Sequence, residues 1–266
     1  MLAQVYDLKV TECETPLEAA LLETDEIKKW DPAYNVSLKT GDRRLLFYSR
    51  DFLDESETQS EDFPIGPFRP MGILESFYDL YIWRTTGELQ LIFYQEIEEG
   101  LLQQGFELFC RNHQLKLESF LELSLRQYLA IALQQLRQFL RAHPGQDAEE
   151  IFHAQKQARK AEVSEDSEEL TVEDIAGKFE RLFIRAALAL RRARQLTRLR
   201  NADVVIPVKN GERRLQVRDG RIGLFKGSAV TSKFPWSDAT ISDYDRMSVL
   251  LSEVTRHSCR IERGLL

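Results

Sequence analysis

The chain has 266 residues, 43% hydrophobic and 30% charged, with fifteen Phe, eight Tyr and three Trp. That is enough for one large or two modest cores, and it excludes a wholly disordered chain. Three widely spaced cysteines, Cys13, Cys110 and Cys259, exclude a dense disulfide framework and suit a reducing compartment. The net charge of −7 hides a division: residues 176–226 carry fourteen Lys or Arg against four Asp or Glu, a balance of +10, while residues 1–175 carry 17 basic and 34 acidic side chains.

No apolar run approaches the roughly 20 residues needed to cross a bilayer. The first residues, MLAQVYDLKVTE, lack both a basic segment and a sustained apolar segment, so no signal peptide and a cytoplasmic location are expected.

Along the chain, Tyr6, Leu8 and Val10 alternate with polar neighbours, as a half-buried strand requires. Thr15-Pro16-Leu17-Glu18 reads as a capping box with proline at the first helical position, opening a helix that Asp31-Pro32 stops after Trp30. Two hairpins are predicted next, over 34–50 around Thr40-Gly41-Asp42 and over 73–95 around Thr86-Gly87. The acidic and proline-rich stretch 51–70 between them reads as a surface loop.

The middle is helical. Leu117, Leu121, Leu125, Tyr128, Ala132, Leu136 and Phe139 make a stripe over 116–142, ended by His143-Pro144-Gly145. A more polar helix over about 147–161 leads into an acidic stretch at 163–170. Thr171-Val172-Glu173-Asp174 then opens a long helix ending near Arg200. Strands at 203–208, 212–218 and 221–226, separated by Lys209-Asn210-Gly211 and Asp219-Gly220, form a three-stranded meander. Pro207 places the first of these strands at an edge. Ser242 is expected to cap a final helix to Arg256.

These elements predict an α+β fold: N-terminal antiparallel hairpins, a helical middle, an Arg-rich helix, a three-stranded antiparallel meander and a C-terminal helix. The expected division is an acidic domain over 1–162, a linker over 163–170, and a basic domain over 171–266.

Function is sought in the basic block. On the helix 181–200, Leu182, Phe183, Ala186, Leu190 and Ala193 fall on one arc and Arg181, Arg185, Arg191, Arg192 and Arg198 on the other. In the meander, Arg214, Gln216 and Arg218 alternate with Leu215 and Val217. Arginine outnumbers lysine eleven to three in the block, and its planar fork suits bidentate phosphate contact. The expected role is a non-catalytic nucleic-acid-binding protein, RNA or DNA, within a larger complex. Arg185, Arg191, Arg192, Arg198, Arg214 and Arg218 would contact phosphates. The rival is a protein–protein adaptor whose basic surface meets an acidic partner, or arginines paired with the chain's own carboxylates.

Chemistry has weaker support. Cys110, His113, His257 and Cys259 are the donor types zinc takes, but residues two apart on a strand point to opposite faces. No metal or other cofactor is expected. Asp7-Leu8-Lys9 has a nuclease-like form without an upstream acidic ligand. Glu26-Ile27-Lys28 falls on a predicted helix, where such sites use a strand; a metal-dependent nuclease is a further alternative. Glu96, Glu98 and Glu99 read as a solvated helix start. Phosphate loops, dinucleotide turns, nucleophile elbows and H-E-x-x-H helices are absent from the sequence, and no catalytic residue is assigned.

Overall fold

A computed structural model describes residues 9–30, 44–69, 72–88, 97–148, 150–152, 154–155, 157, 170–208, 211–223, 236–256 and 259–263. The fold is α+β, and the chain divides into two compact units. Unit 1 takes residues 1–47, 56–70 and 193–266; unit 2 takes residues 48–55 and 71–192. Unit 2 therefore includes chain on both sides of the acidic stretch expected as a linker, of which residues 163–169 lie outside the described residues.

In unit 1, helix α1 (Pro16–Trp30) starts and stops where Thr15-Pro16 and Asp31-Pro32 direct it. The Thr15 hydroxyl accepts the Glu18 N–H at 3.1 Å, satisfying one of the free donors of the first turn. Strands β1 (Leu46–Tyr48), β2 (Glu55–Ser56) and β3 (Ile65–Phe68), of which Tyr48 and Glu55 are counted with unit 2, form a small sheet in the order β2-β1-β3. Two strands thus lie within the stretch 51–70 expected as loop. Local proline and acid content was misleading there, because pairing with β1 satisfies the backbone instead of water. Residues 34–43 of the first predicted hairpin, with Tyr6 and Leu8, lie outside the described residues; Val10 is exposed and in no strand.

The second sheet has strands β4 (Ala202–Val208), β5 (Gly211–Arg218), β6 (Arg221–Gly223) and β7 (Arg260–Arg263) in the order β6-β5-β4-β7. All three pairings are antiparallel. The meander is present, and β7 adds a fourth strand that the sequence pattern did not suggest. β4 is consequently central, not an edge strand. Proline is tolerated because β7 pairs only with Ala202 to Val205, so Pro207 lies beyond the end of that ladder. The turn Asp219-Gly220 has φ of 48° and 75°, as a two-residue hairpin loop requires. Helix α6 (Ile241–Arg256) is capped not by Ser242 but by Thr240, whose hydroxyl accepts the Asp243 N–H at 3.3 Å while its own N–H donates to Asp243 at 2.9 Å. Leu17, Leu21, Phe47, Val204, Trp236 and Met247 are among the residues of the unit 1 core.

Unit 2 is helical. Residues 73–86, predicted as half of a hairpin, belong to helix α2 (Gly72–Thr86). The aromatic and β-branched content imitated a strand, but Leu74, Phe77, Leu80 and Trp83 are the buried set, at a three-residue step. Gly87 is a helix terminator, not a hairpin turn: φ is 75° and its N–H donates to the Trp83 carbonyl at 3.0 Å. The predicted partner strand, 89–95, lies outside the described residues.

Helix α3 (Glu99–Asn112) follows, then a 3₁₀ turn at Leu117–Leu121 and helix α4 (Leu125–Ala142). The predicted continuous helix over 116–142 is broken because Ser124 and Gln127 form a capping box, Gln127 Oε1 accepting the Ser124 N–H at 2.8 Å. Of the predicted stripe, Leu125, Tyr128, Ala132, Leu136 and Phe139 are buried on α4, whereas Leu117 is only partly buried and Leu121 exposed, because both lie in the 3₁₀ turn before the capping box. The described residues between 148 and 157 are helical. Thr171 and Asp174 cap one another at the start of helix α5 (Val172–Leu199), which belongs to unit 2 as far as Arg192 and to unit 1 from Ala193 on. Aromatic rings dominate this core: Phe106 meets Phe120 and Phe179 edge-on at 5.2 and 5.1 Å, and the Tyr128 hydroxyl donates to the buried Phe120 carbonyl at 2.6 Å.

Candidate functional site

The helix that carries the arginines is buried on most of its circumference before it becomes basic. Leu182, Phe183, Ile184, Ala186, Ala187, Ala189 and Leu190 are all buried, so the first part of α5 is a core helix with only a narrow polar strip. Arg185 lies in that strip, half-buried, with its guanidinium 5.8 Å from the Phe152 ring centroid. From residue 191 onward the burial becomes one-sided. Arg191, Arg192, Arg194 and Arg198 are exposed, while Ala193, Leu196 and Leu199 stay buried. At 100° per residue, Arg191, Arg194 and Arg198 fall within about 60° of one another. None of the four has an ion-pair partner among the described residues.

The meander's arginines are placed differently. Arg218 is largely buried, and its Nη2 lies 2.8 Å from Asp203 Oδ1. Arg214 contacts Glu262 at 2.6 Å and Asp203 at 3.7 Å. Arg260 reaches Glu212 and Glu262, each at 3.1 Å. Register explains the grouping: Asp203 is opposite both Gln216 and Glu262, Val205 is opposite both Arg214 and Arg260, and Pro207 is opposite Glu212. Residues two apart on a strand share a face, so this face presents arginines 214, 218 and 260 to carboxylates 203, 212 and 262. Its charges cancel. Arg213, on the opposite face of β5, bridges to Glu14 and Glu18 at 2.5 and 2.6 Å.

The six arginines chosen from the sequence therefore separate. Arg191, Arg192 and Arg198 remain on an open helix surface, Arg185 is partly enclosed, and Arg214 and Arg218 are matched within their sheet. Arg194 was missed, although its i, i+3, i+7 relation to Arg191 and Arg198 was available. Glu262 was beyond sequence reasoning because β7 itself was not foreseen.

Cys110 is buried in unit 2, where burial pushes its thiol up to about 12, and Cys259 belongs to unit 1. His113 faces Glu180 at 3.9 Å, and His257 lies outside the described residues. Glu26 accepts the Trp30 indole N–H at 2.5 Å, while Lys28 pairs with Asp245 at 2.9 Å. Asp7 lies outside the described residues. Among the described residues no group of three or more His, Cys, Asp or Glu is arranged to hold a metal ion, and no helix is long and apolar enough to cross a membrane. Comparison with protein-family models, with curated proteins and with solved structures finds no match.

Proposed function

We propose that this chain is a non-catalytic nucleic-acid-binding protein, acting as one component of a larger assembly, and that the C-terminal turns of α5 contact the phosphates. The observation that carries this reading is the set Arg191, Arg194 and Arg198 on one helix face, exposed and without ion-pair partners among the described residues, with Arg192 beside it. Cations at a helix C-terminus complement the macrodipole, which accounts for one or two basic residues in the last turn. A set extending over two turns exceeds that need. Arg191 to Arg198 spans about 10 Å of helix, so it fits a few phosphates and not a long channel. Arg214 and Arg218 are supporting sheet residues in this reading, not contacts.

The test is binding of fluorescent single-stranded RNA, single-stranded DNA and duplex DNA at salt from 50 to 200 mM. The expected duplex slope of log K against log salt is about −3 for three phosphate contacts. Combined Arg191→Ala, Arg194→Ala and Arg198→Ala removes most of that slope, whereas Arg214→Ala leaves it. Salt-insensitive association, or none, overturns the proposal. The short extent of the unpaired helix set, about 10 Å, favours one second reading, an adaptor whose helix arginines meet an acidic protein. Stoichiometric co-purification of such a protein, with no nucleic acid, would decide for it.

A further inference from the structure

Within unit 2 lies a half-open cavity of about 360 Å³. Leu74, Phe77, Leu125 and Leu129 form its apolar base, each at most 9% exposed. One wall is the stacked pair Tyr48 and Phe52, with ring centroids 5.9 Å apart. Leu53 and Tyr78 stand at the mouth with 47% and 38% of their surface exposed, unusual for large apolar side chains.

The polar groups of the lining are turned to the protein or to solvent. The Tyr48 hydroxyl donates to the Glu55 carboxylate, and burial first, then the Glu55 charge, holds this phenol above its ordinary range, so it stays neutral. Asp79 also has a partner, and Glu75 is exposed on α2. Leucine, phenylalanine and the ring faces are what the cavity offers a ligand.

The wall is held by a built loop. Ser49 N–H donates to the Asp54 carbonyl at 2.9 Å and Phe52 N–H to the Ser49 carbonyl at 3.1 Å. Asp51 accepts the Ser49 hydroxyl at 2.6 Å and the Leu53 N–H at 3.2 Å. These bonds keep Phe52 at φ 67°, a left-handed conformation that a bulky side chain adopts only under constraint. The aromatic wall is therefore preformed, which lowers the cost of binding.

We propose that this cavity binds an uncharged, predominantly apolar small molecule about the size of two fused rings. A dry cavity of about 150 Å³ takes benzene, and the volume here lies at the small end of the range for small-molecule sites. A partner helix, about 10–12 Å across, is too large for it. The ligand replaces water on the leucine and phenylalanine base. A charged group of either sign loses its hydration there and finds no polar partner on the base. The site is independent of the arginine face of α5.

The test titrates the full chain with toluene, ethylbenzene, propylbenzene and indole, and with benzylammonium and benzoate, followed by protein-observed NMR. The neutral probes are expected to bind, each added methylene of the alkylbenzenes tightening association about fourfold. Both ions should bind at least about tenfold more weakly than toluene. Affinity for the neutral probes should be the same from about 50 to about 500 mM salt, and unchanged by Glu75→Gln. Leu53→Ala, at an exposed position, should weaken propylbenzene about threefold, and Leu129→Trp should abolish binding by filling the base. Absence of toluene and indole binding at their solubility limits overturns the proposal, as does benzylammonium or benzoate binding as tightly as toluene. Self-association that Leu53→Ala abolishes, with no probe bound, also overturns it and assigns the mouth to a second copy of the chain.

Discussion

Asp203 meets two arginines, Arg214 and Arg218, that the sequence alone directed towards an external phosphate. The alternation of Arg214, Gln216 and Arg218 with Leu215 and Val217 was legible, because period two needs only local information. Their partners were not, because Asp203 and Glu262 approach across strand pairings that only the register specifies. The consequence is measurable. Asp203 and Arg218 retain only 12% and 17% of their side-chain exposure, so Asp203→Asn leaves a guanidinium enclosed without its counter-charge. A loss of about 2–3 kcal/mol is expected in urea unfolding. By contrast, Arg191→Ala and Arg198→Ala, which remove exposed and unpaired groups, should fall within about 0.5 kcal/mol of the parent chain. A large stability loss at Arg191 or Arg198 would show that the helix arginines are structural too.

Among the elements, the long helices α1 and α5 were predicted with nearly their observed bounds, since Thr15, Pro16, Thr171 and Asp174 mark their starts unambiguously. α2 was read as a strand because its aromatic content outweighed its three-residue period, and because glycine after threonine serves a hairpin or a helix end equally well. Gly87 and Gly220 now separate those uses. Both have φ of 75°, but a Cβ on Gly87 would meet open space, whereas one on Gly220 would lie 3.1 Å from the buried Trp236 ring. Gly87→Ala should therefore cost only the left-handed backbone penalty, about 1 kcal/mol. Gly220→Ala adds displacement of the indole and should cost more, with a change in Trp236 fluorescence. Equal losses would refute the close approach.

For the whole molecule, two compact units with their own cores mean that protection should be read unit by unit. Cys110, 2% exposed with its thiol pushed up to about 12 by burial, has almost no thiolate near neutral pH and no access for a reagent. Cys13 is half-buried at the start of unit 1. Alkylation of the native chain at pH 8 is expected to label Cys13 first and to leave Cys110 unmodified. Cys110 should become reactive only at the denaturant concentration that opens the aromatic core of unit 2. Labelling of Cys110 without denaturant would mean that this core opens locally.

Composition, periodicity and capping signals by themselves determined the α+β class, helices α1 and α5, the Asp219-Gly220 turn and the concentration of arginine near the C-terminus. All of these depend on residues within a few positions of one another. Tertiary structure alone decided that β7 makes β4 a central strand, that residues 51–70 pair with β1, and that Arg214 and Arg218 are neutralised while Arg191, Arg194 and Arg198 are not. It also decided that Phe52, Phe77 and Leu129 surround one acidic-rimmed cavity. These depend on which distant segments share a face, and the free energy of that choice lies in burial and register, which no local pattern encodes.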